Sequence, residues 1–324
     1  MDILVTTGNN KKVLGIKQAK LIKLRRVWNM MKNILMLDHV NHFNIGKILE
    51  CGKVFRFEKI SDQSYILNAK QKLIKITQKP ESSSVMIYNT TTSEMSEIWN
   101  KYFDMDTDYS HITSVLVSKD EWMKKAIDFG RGIRILRQDP WEMLISFIVS
   151  QNKSIPHIKA CLSNITSKFG EPIEEKSENG EYYYAFPSPE KLVTATEDDL
   201  RACKVGFRAP YIMDACNKVA NGEIILNDLW MMDYEEAKAK LMSIKGVGPK
   251  IADCILLFAY SKMEVFPTDV WIKRVIEGIY FEGRDIKLQE IQSFAKSYFG
   301  DLAGYAQQYL FYYARENNLF KGSK

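Results

Sequence analysis

From about residue 53, hydrophobic and polar positions alternate with a period of two. The runs KVFRFEKI (53–60), SYILNA (64–69), KLIKITQ (72–78) and SVMIYN (84–89) are short, rich in aromatic and β-branched residues, and separated by polar stretches. That is the pattern of an antiparallel meander. PESSS (80–84) and NTTTSE (89–94) read as turns. From SEMSEIWNKYF (93–103) the period lengthens to that of a helix and holds to near the C-terminus. WEMLISFIVS (141–150) is apolar on nearly every side, which predicts a buried helix. EKSENGEYYYAFPSPE (175–190) reads as a loop. Upstream, Leu21, Leu24, Trp28, Met31 and Leu35 fall at helical spacing. The whole pattern predicts an α+β protein. It divides into an N-terminal extension over 1–36, an antiparallel β-sheet domain with flanking helices over 37–130, and a larger α-helical domain over 131–324.

Composition narrows the class without naming a function. The 324 residues are 46% hydrophobic and 26% charged, and no apolar run approaches the roughly 20 residues that span a bilayer. Cys51, Cys161, Cys203, Cys216 and Cys254 are scattered, with no C-x-x-C pair. They are expected as free thiols in a reducing, intracellular setting, and their scatter argues against a zinc knuckle or an iron–sulfur cluster. His39 and His42 form H-x-x-H, but no cysteine or carboxylate beside them completes a metal site. The net charge of +5 points to an anionic partner, yet residues 1–35 hold eight Lys/Arg against Asp2, a local +7, so the other residues sum to −2. Bulk charge alone therefore does not make the body of the chain a nucleic-acid binder. The basic head is open to three readings: an amphipathic helix, a targeting segment, or an extension upstream of a domain that starts near Met30, Met31 or Met36.

One stretch carries chemistry. In SIKGVGPKIADCILLFA (243–259), Gly246 and Gly248 permit φ > 0 and a close approach by another backbone. Lys250 begins an apolar helix at the end where a cation is disfavoured. A helix, such a hairpin and a second helix present backbone N–H groups to an anion, typically a phosphate, although a plain turn between two helices fits the same letters. Nineteen residues on, PTDVW (267–271) sets Asp269 at another helix start. The intervening helix and loop are long enough to bring Asp269 back toward Lys250.

This constellation resembles the helix-hairpin-helix, Gly/Pro-rich, aspartate superfamily of base-excision DNA glycosylases, and within it the 8-oxoguanine DNA glycosylase/lyases. GIRILRQDPWEMLISFIVSQN (132–152), VGFRAPYI (205–212), GVGPKIADCILLFA (246–259), PTDVW (267–271) and YAQQYLFYYAR (305–315) follow that family's order and approximate spacing, and CGKVFRF (51–57) resembles its N-terminal sheet. The likeness runs from about 45 to 316. It implies that Lys250 attacks C1′ as a neutral amine, a form favoured by a helix N-terminus and an apolar wall, and that Asp269 stabilises the developing sugar cation while capping its helix. A flipped 8-oxoguanine would lie in a pocket of Gly52, Cys254, Gln307 and Phe311, with the Gly52 carbonyl accepting the lesion's N7–H. Asn152, Phe207 and Arg208 would fill the gap and read the orphaned base. Gly246, Val247, Gly248 and Trp271 would meet the DNA. At His157 the chain departs from an arginine that reads an opposite cytosine, which implies a relaxed opposite-base preference. The resemblance calls for no cofactor and no metal, leaves room for a monovalent cation at the hairpin carbonyls, and implies a monomer acting on duplex DNA containing 8-oxoguanine, with no membrane partner. Two other readings stay open: a helix-hairpin-helix glycosylase for another oxidised or alkylated base, and a non-catalytic DNA-binding module.

Overall fold

The computed structural model describes residues 33–176 and 182–320. Most of the basic head, with Leu21, Leu24, Trp28 and Met31, lies outside the described residues. Strands β1 (Ile34–Leu37), β2 (Phe57–Ser61), β3 (Ser64–Ala69), β4 (Lys72–Thr77) and β5 (Val85–Tyr88) form one antiparallel sheet in the order β1-β5-β4-β3-β2. Four of them are the meander that the alternation predicts. β1 was not expected. It crosses the boundary placed at 36, and Leu35 sits in it rather than in a helix. Its four residues are held by pairing with β5, Ile34 opposite Tyr88 and Leu37 opposite Val85, a partner too distant for local periodicity to reveal.

The sheet buries Leu67, Ile74, Ile76, Val85 and Ile87 against Ile48, Leu49, Trp99, Tyr102 and Phe103. The Trp99 indole N–H donates to the Thr90 hydroxyl at 3.0 Å, which satisfies the one polar atom of that ring. A second correction concerns the stretch read as a loop. Strands β6 (Pro172–Lys176) and β7 (Tyr182–Tyr184) pair as a hairpin. Ile173 and Tyr183 pack on Ile66 and Leu73, and the Asn68 side chain donates to the Tyr184 carbonyl at 3.0 Å. Docking on the outer face of the sheet makes these strands, since the segment's own pattern is polar.

Ten helices of nine residues or more follow among the described residues: α1 (Tyr109–Val117), α2 (Glu121–Phe129), α3 (Pro140–Ser150), α4 (Ile155–Phe169), α5 (Ala209–Ala220), α6 (Tyr234–Met242), α7 (Pro249–Tyr260), α8 (Val270–Tyr280), α9 (Leu288–Phe299) and α10 (Ala303–Glu316). α3 is buried from Met143 through Val149 and α7 from Ile251 through Tyr260, so each is enclosed by the others. Cys51 and Phe55, from the turn before β2, enter this helical core. That insertion places one loop of the sheet domain beside α7. None of the helices is long and apolar enough to cross a membrane among the described residues.

Candidate active site

α6 and α7 are the two arms of the predicted hairpin. Gly246 adopts φ +80°, and a Cβ there would lie 2.3 Å from the Tyr211 ring, so glycine is required twice over. Gly248 differs from expectation. Its φ is −90° and a Cβ would meet nothing within 4 Å; the position is open space at the N-cap of α7, not a left-handed residue. Val247 is buried beneath the turn. Lys250 is the second residue of α7, behind Pro249, half-buried, with Nζ 5.7 Å from the centre of the Phe147 ring. Phe147 stacks on Phe258 at 5.9 Å, which makes an apolar wall beside the amine.

Asp269 caps α8. Its Oδ1 accepts from the backbone N–H of Trp271 at 3.0 Å and of Ile272 at 2.8 Å, which fixes the carboxylate at the end of the loop that follows α7. Cys254 is fully buried on α7. On α10, Gln307 and Phe311 are buried one turn apart. The Gln307 amide donates through Nε2 to the Pro267 carbonyl at 3.0 Å, while its Oε1, with the residue only 1% exposed, has no partner.

The group that ties these together is one that sequence reasoning passed over. Lys53 follows Gly52, whose φ of +87° makes the turn that turns the chain inward. A Cβ on Gly52 would strike Arg315 Nη1 at 2.3 Å, and Arg315 in turn donates to the Glu50 carbonyl at 2.6 Å. Gln138 clamps the turn to α7: its Nε2 donates to the Lys53 carbonyl at 3.0 Å and its N–H to the Phe258 carbonyl at 3.0 Å. Lys53 is 8% exposed, and its Nζ lies 3.8 Å from the centre of the Phe311 ring. Burial holds its pKa below the ordinary lysine value; the charge of Lys250 acts in the same direction, while Cys254, Asp269 and Cys51 oppose. Lys250, Asp269, Cys254 and Phe311 thus surround one buried point. A lysine beside the Gly52 turn, in CGKVFRF, was the only signal the sequence offered.

The other predicted residues lie elsewhere. Asn152 is exposed with a left-handed φ of +49°, just ahead of α4, which carries the exposed His157 in its first turn. Phe207 is 52% exposed and projects ahead of α5. Arg208 does not project with it. Its guanidinium is buried, donating to the carbonyls of Val205 and Gln151, with Cζ 4.2 Å from the Phe207 ring centre. Burial also pushes its pKa down. Trp271, expected at the DNA, instead backs Phe311 edge-on at 5.4 Å and donates its indole N–H to the Leu319 carbonyl at 3.3 Å. Among the described residues no group of three or more His, Cys, Asp or Glu could hold a metal ion.

A sheet domain that inserts a glycine turn into a helical domain, against a hairpin lysine and an aspartate one helix later, defines a class. Residues 145–299 match the HhH-GPD superfamily of base-excision DNA repair proteins, and residues 35–144 match the 8-oxoguanine DNA glycosylase N-terminal domain. The chain is 34% identical over 250 residues to a probable N-glycosylase/DNA lyase of Methanothermobacter thermautotrophicus, covering 71% of this chain and 77% of that protein. It is 32% identical to the N-glycosylase/DNA lyase of Saccharomyces cerevisiae, over 73% and 68% of the two chains. The solved apo structure of the Clostridium acetobutylicum 8-oxoguanine glycosylase/lyase superposes with a TM-score of 0.82 at 42% identity, covering 87% of this chain and 97% of that one. The chain belongs to the 8-oxoguanine N-glycosylase/DNA lyase family.

Proposed function

We propose that the protein flips 8-oxoguanine out of duplex DNA, excises it through a Schiff base on Lys250, and nicks the strand by β-elimination. The observation that carries this is the convergence of Lys250, Asp269, Cys254 and Phe311 on the one point occupied by Lys53 Nζ. The C. acetobutylicum relative has also been solved with duplex DNA holding cytosine opposite 8-oxoguanine, at 41% identity and a TM-score of 0.82.

In this reading the C1′–N9 bond breaks with its electron pair on the base, and the Lys250 lone pair closes on C1′. Asp269 faces the developing oxocarbenium charge. The sugar opens to an iminium on Nζ, loses a C2′ proton, and expels the 3′ phosphate. The base would lie between Phe311 and Cys254, its N1–H and N2–H edge toward the unpartnered Oε1 of Gln307, its N7–H toward the Gly52 carbonyl. Guanine has a lone pair at N7 where the lesion has N–H, so a fixed carbonyl attracts one and repels the other. Phe207, exposed at a helix start, serves as the wedge, Asn152 fills the gap, and the hairpin N–H groups at Gly246–Gly248 take a phosphate. Opposite-base preference is relaxed, because His157 lacks a guanidinium fork and Arg208 is turned inward. The protein acts as a monomer.

The test is borohydride trapping. Wild-type protein should crosslink to duplex containing 8-oxoguanine, and Lys250→Gln should neither crosslink, release base nor nick while still binding the duplex. A crosslink that survives in Lys250→Gln removes Lys250 from the mechanism.

A further inference from the structure

Lys53 has no part in the chemistry above, yet its ammonium stands inside the site. Nζ is 3.8 Å from the Phe311 ring centre and 5.7 Å from that of Phe258. A stacked base would lie about 3.5–4.0 Å from the Phe311 face, in the layer that the ammonium already holds. The clamp from Gln138 and the Gly52 turn point the side chain inward. Among the described residues no carboxylate pairs with it within 4.0 Å, so a π-face is its principal anchor in a buried setting.

We propose that Lys53 is a built-in occupant of the base slot: in the DNA-free protein its ammonium fills the space between Phe311 and Cys254, and a base enters only by displacing it. The inference rests on the assignment of Phe311 and Cys254 as the slot walls. A buried ammonium held by one aromatic face gains water when it leaves, so the displacement is reversible and needs no backbone change. The displacement term is common to every base. It leaves the ratio of affinities unchanged and lowers all of them together. Undamaged guanine, which lacks the N7–H contact, then no longer holds the slot, while the lesion retains enough contacts to open it.

Binding of free 8-oxoguanine and of free guanine to the DNA-free protein tests this, by equilibrium dialysis of wild type, Lys53→Ala and Phe311→Ala. Lys53→Ala should tighten both bases, by the same factor within twofold, between about threefold and thirtyfold for a desolvated cation–π contact. Affinity that is unchanged or weaker in Lys53→Ala overturns the proposal, as does tightening of one base alone, which would make Lys53 a direct base contact. Phe311→Ala should weaken both bases. If it does not, the slot assignment falls and the inference with it; if it does while Lys53→Ala fails to tighten, only the occupancy of Lys53 is wrong. A measurement on wild type needs no variant. With 13Cε-labelled lysine, the Lys53 resonance should be ring-shifted in the free protein and move toward the ordinary lysine position on saturation with 8-oxoguanine. A resonance that stays in place with the base bound would overturn the proposal independently.

Discussion

At the scale of single residues, Asp269 carries two duties that a substitution can separate. Its Oδ1 accepts from two N–H groups at the start of α8, a cap worth about 1 kcal/mol. Asparagine caps about as well as aspartate but holds no charge. Asp269→Asn should therefore leave the denaturation midpoint nearly unchanged while single-turnover excision falls by about 10²–10³, the usual loss of one electrostatic stabiliser. An equal loss of stability and rate would make the residue a cap only. His157 offers the converse test, a gain. Exposed in the first turn of α4, it has room for a longer side chain. His157→Arg should restore discrimination in favour of opposite cytosine by roughly 1–3 kcal/mol, one good bidentate contact. The wild type should process the lesion opposite all four bases at rates within about tenfold. Strict cytosine dependence in the wild type would assign the reading to some other group. Lys250, Asp269, Gln307 and Phe311 were legible because residue type and spacing together stated a chemistry. Lys53 was not, because nothing in CGKVFRF tells which way the residue after a glycine turn will point. Arg208 and Trp271 were misplaced because a long polar side chain and an indole find partners that only the packed fold supplies.

At the scale of elements, the two hairpin glycines make separable demands. Gly246 has φ +80° with the Tyr211 ring in the path of any Cβ, whereas Gly248 has φ −90° with open space around it. Gly246→Ala should destabilise the protein by at least about 1–2 kcal/mol, the cost of a left-handed L-residue, before any clash is counted. Gly248→Ala should change stability by no more than about 0.5 kcal/mol but weaken duplex binding, because the new methyl stands where a phosphate approaches the N-terminus of α7. Chemical denaturation and a binding titration on the two variants separate these effects. If Gly248→Ala binds duplex as the wild type does, the hairpin is a turn and not a phosphate seat. The same scale explains what the period of the sequence hid. The meander and the buried helices α3 and α7 follow from their own residues. β1 and the β6–β7 hairpin exist because β5 and the outer face of the sheet accept them, and no window of local sequence contains that information.

At the scale of the whole molecule, charge and recognition are distributed unequally. Residues 1–32 hold all eight basic residues and the one acid of the head, +7, and the remaining residues sum to −2. The body must therefore grip DNA with few net cations, through backbone N–H groups at the hairpin and a wedge such as Phe207, whereas long-range attraction to the phosphates resides in the head. Each phosphate neutralised contributes about −0.9 to the slope of log K against log salt. Removing residues 1–32 should make that slope shallower by several units on undamaged duplex and weaken non-specific binding most at low salt. Single-turnover excision at saturating protein should persist, since Lys250, Asp269 and the slot all lie in the body. The measurement is a salt titration of duplex affinity for the full chain and the truncated one, alongside single-turnover excision of 8-oxoguanine. An unchanged salt slope would mean that the head does not touch DNA. Loss of excision at saturation would mean that it contributes to the site itself, and the division of labour drawn from the charge distribution would be wrong.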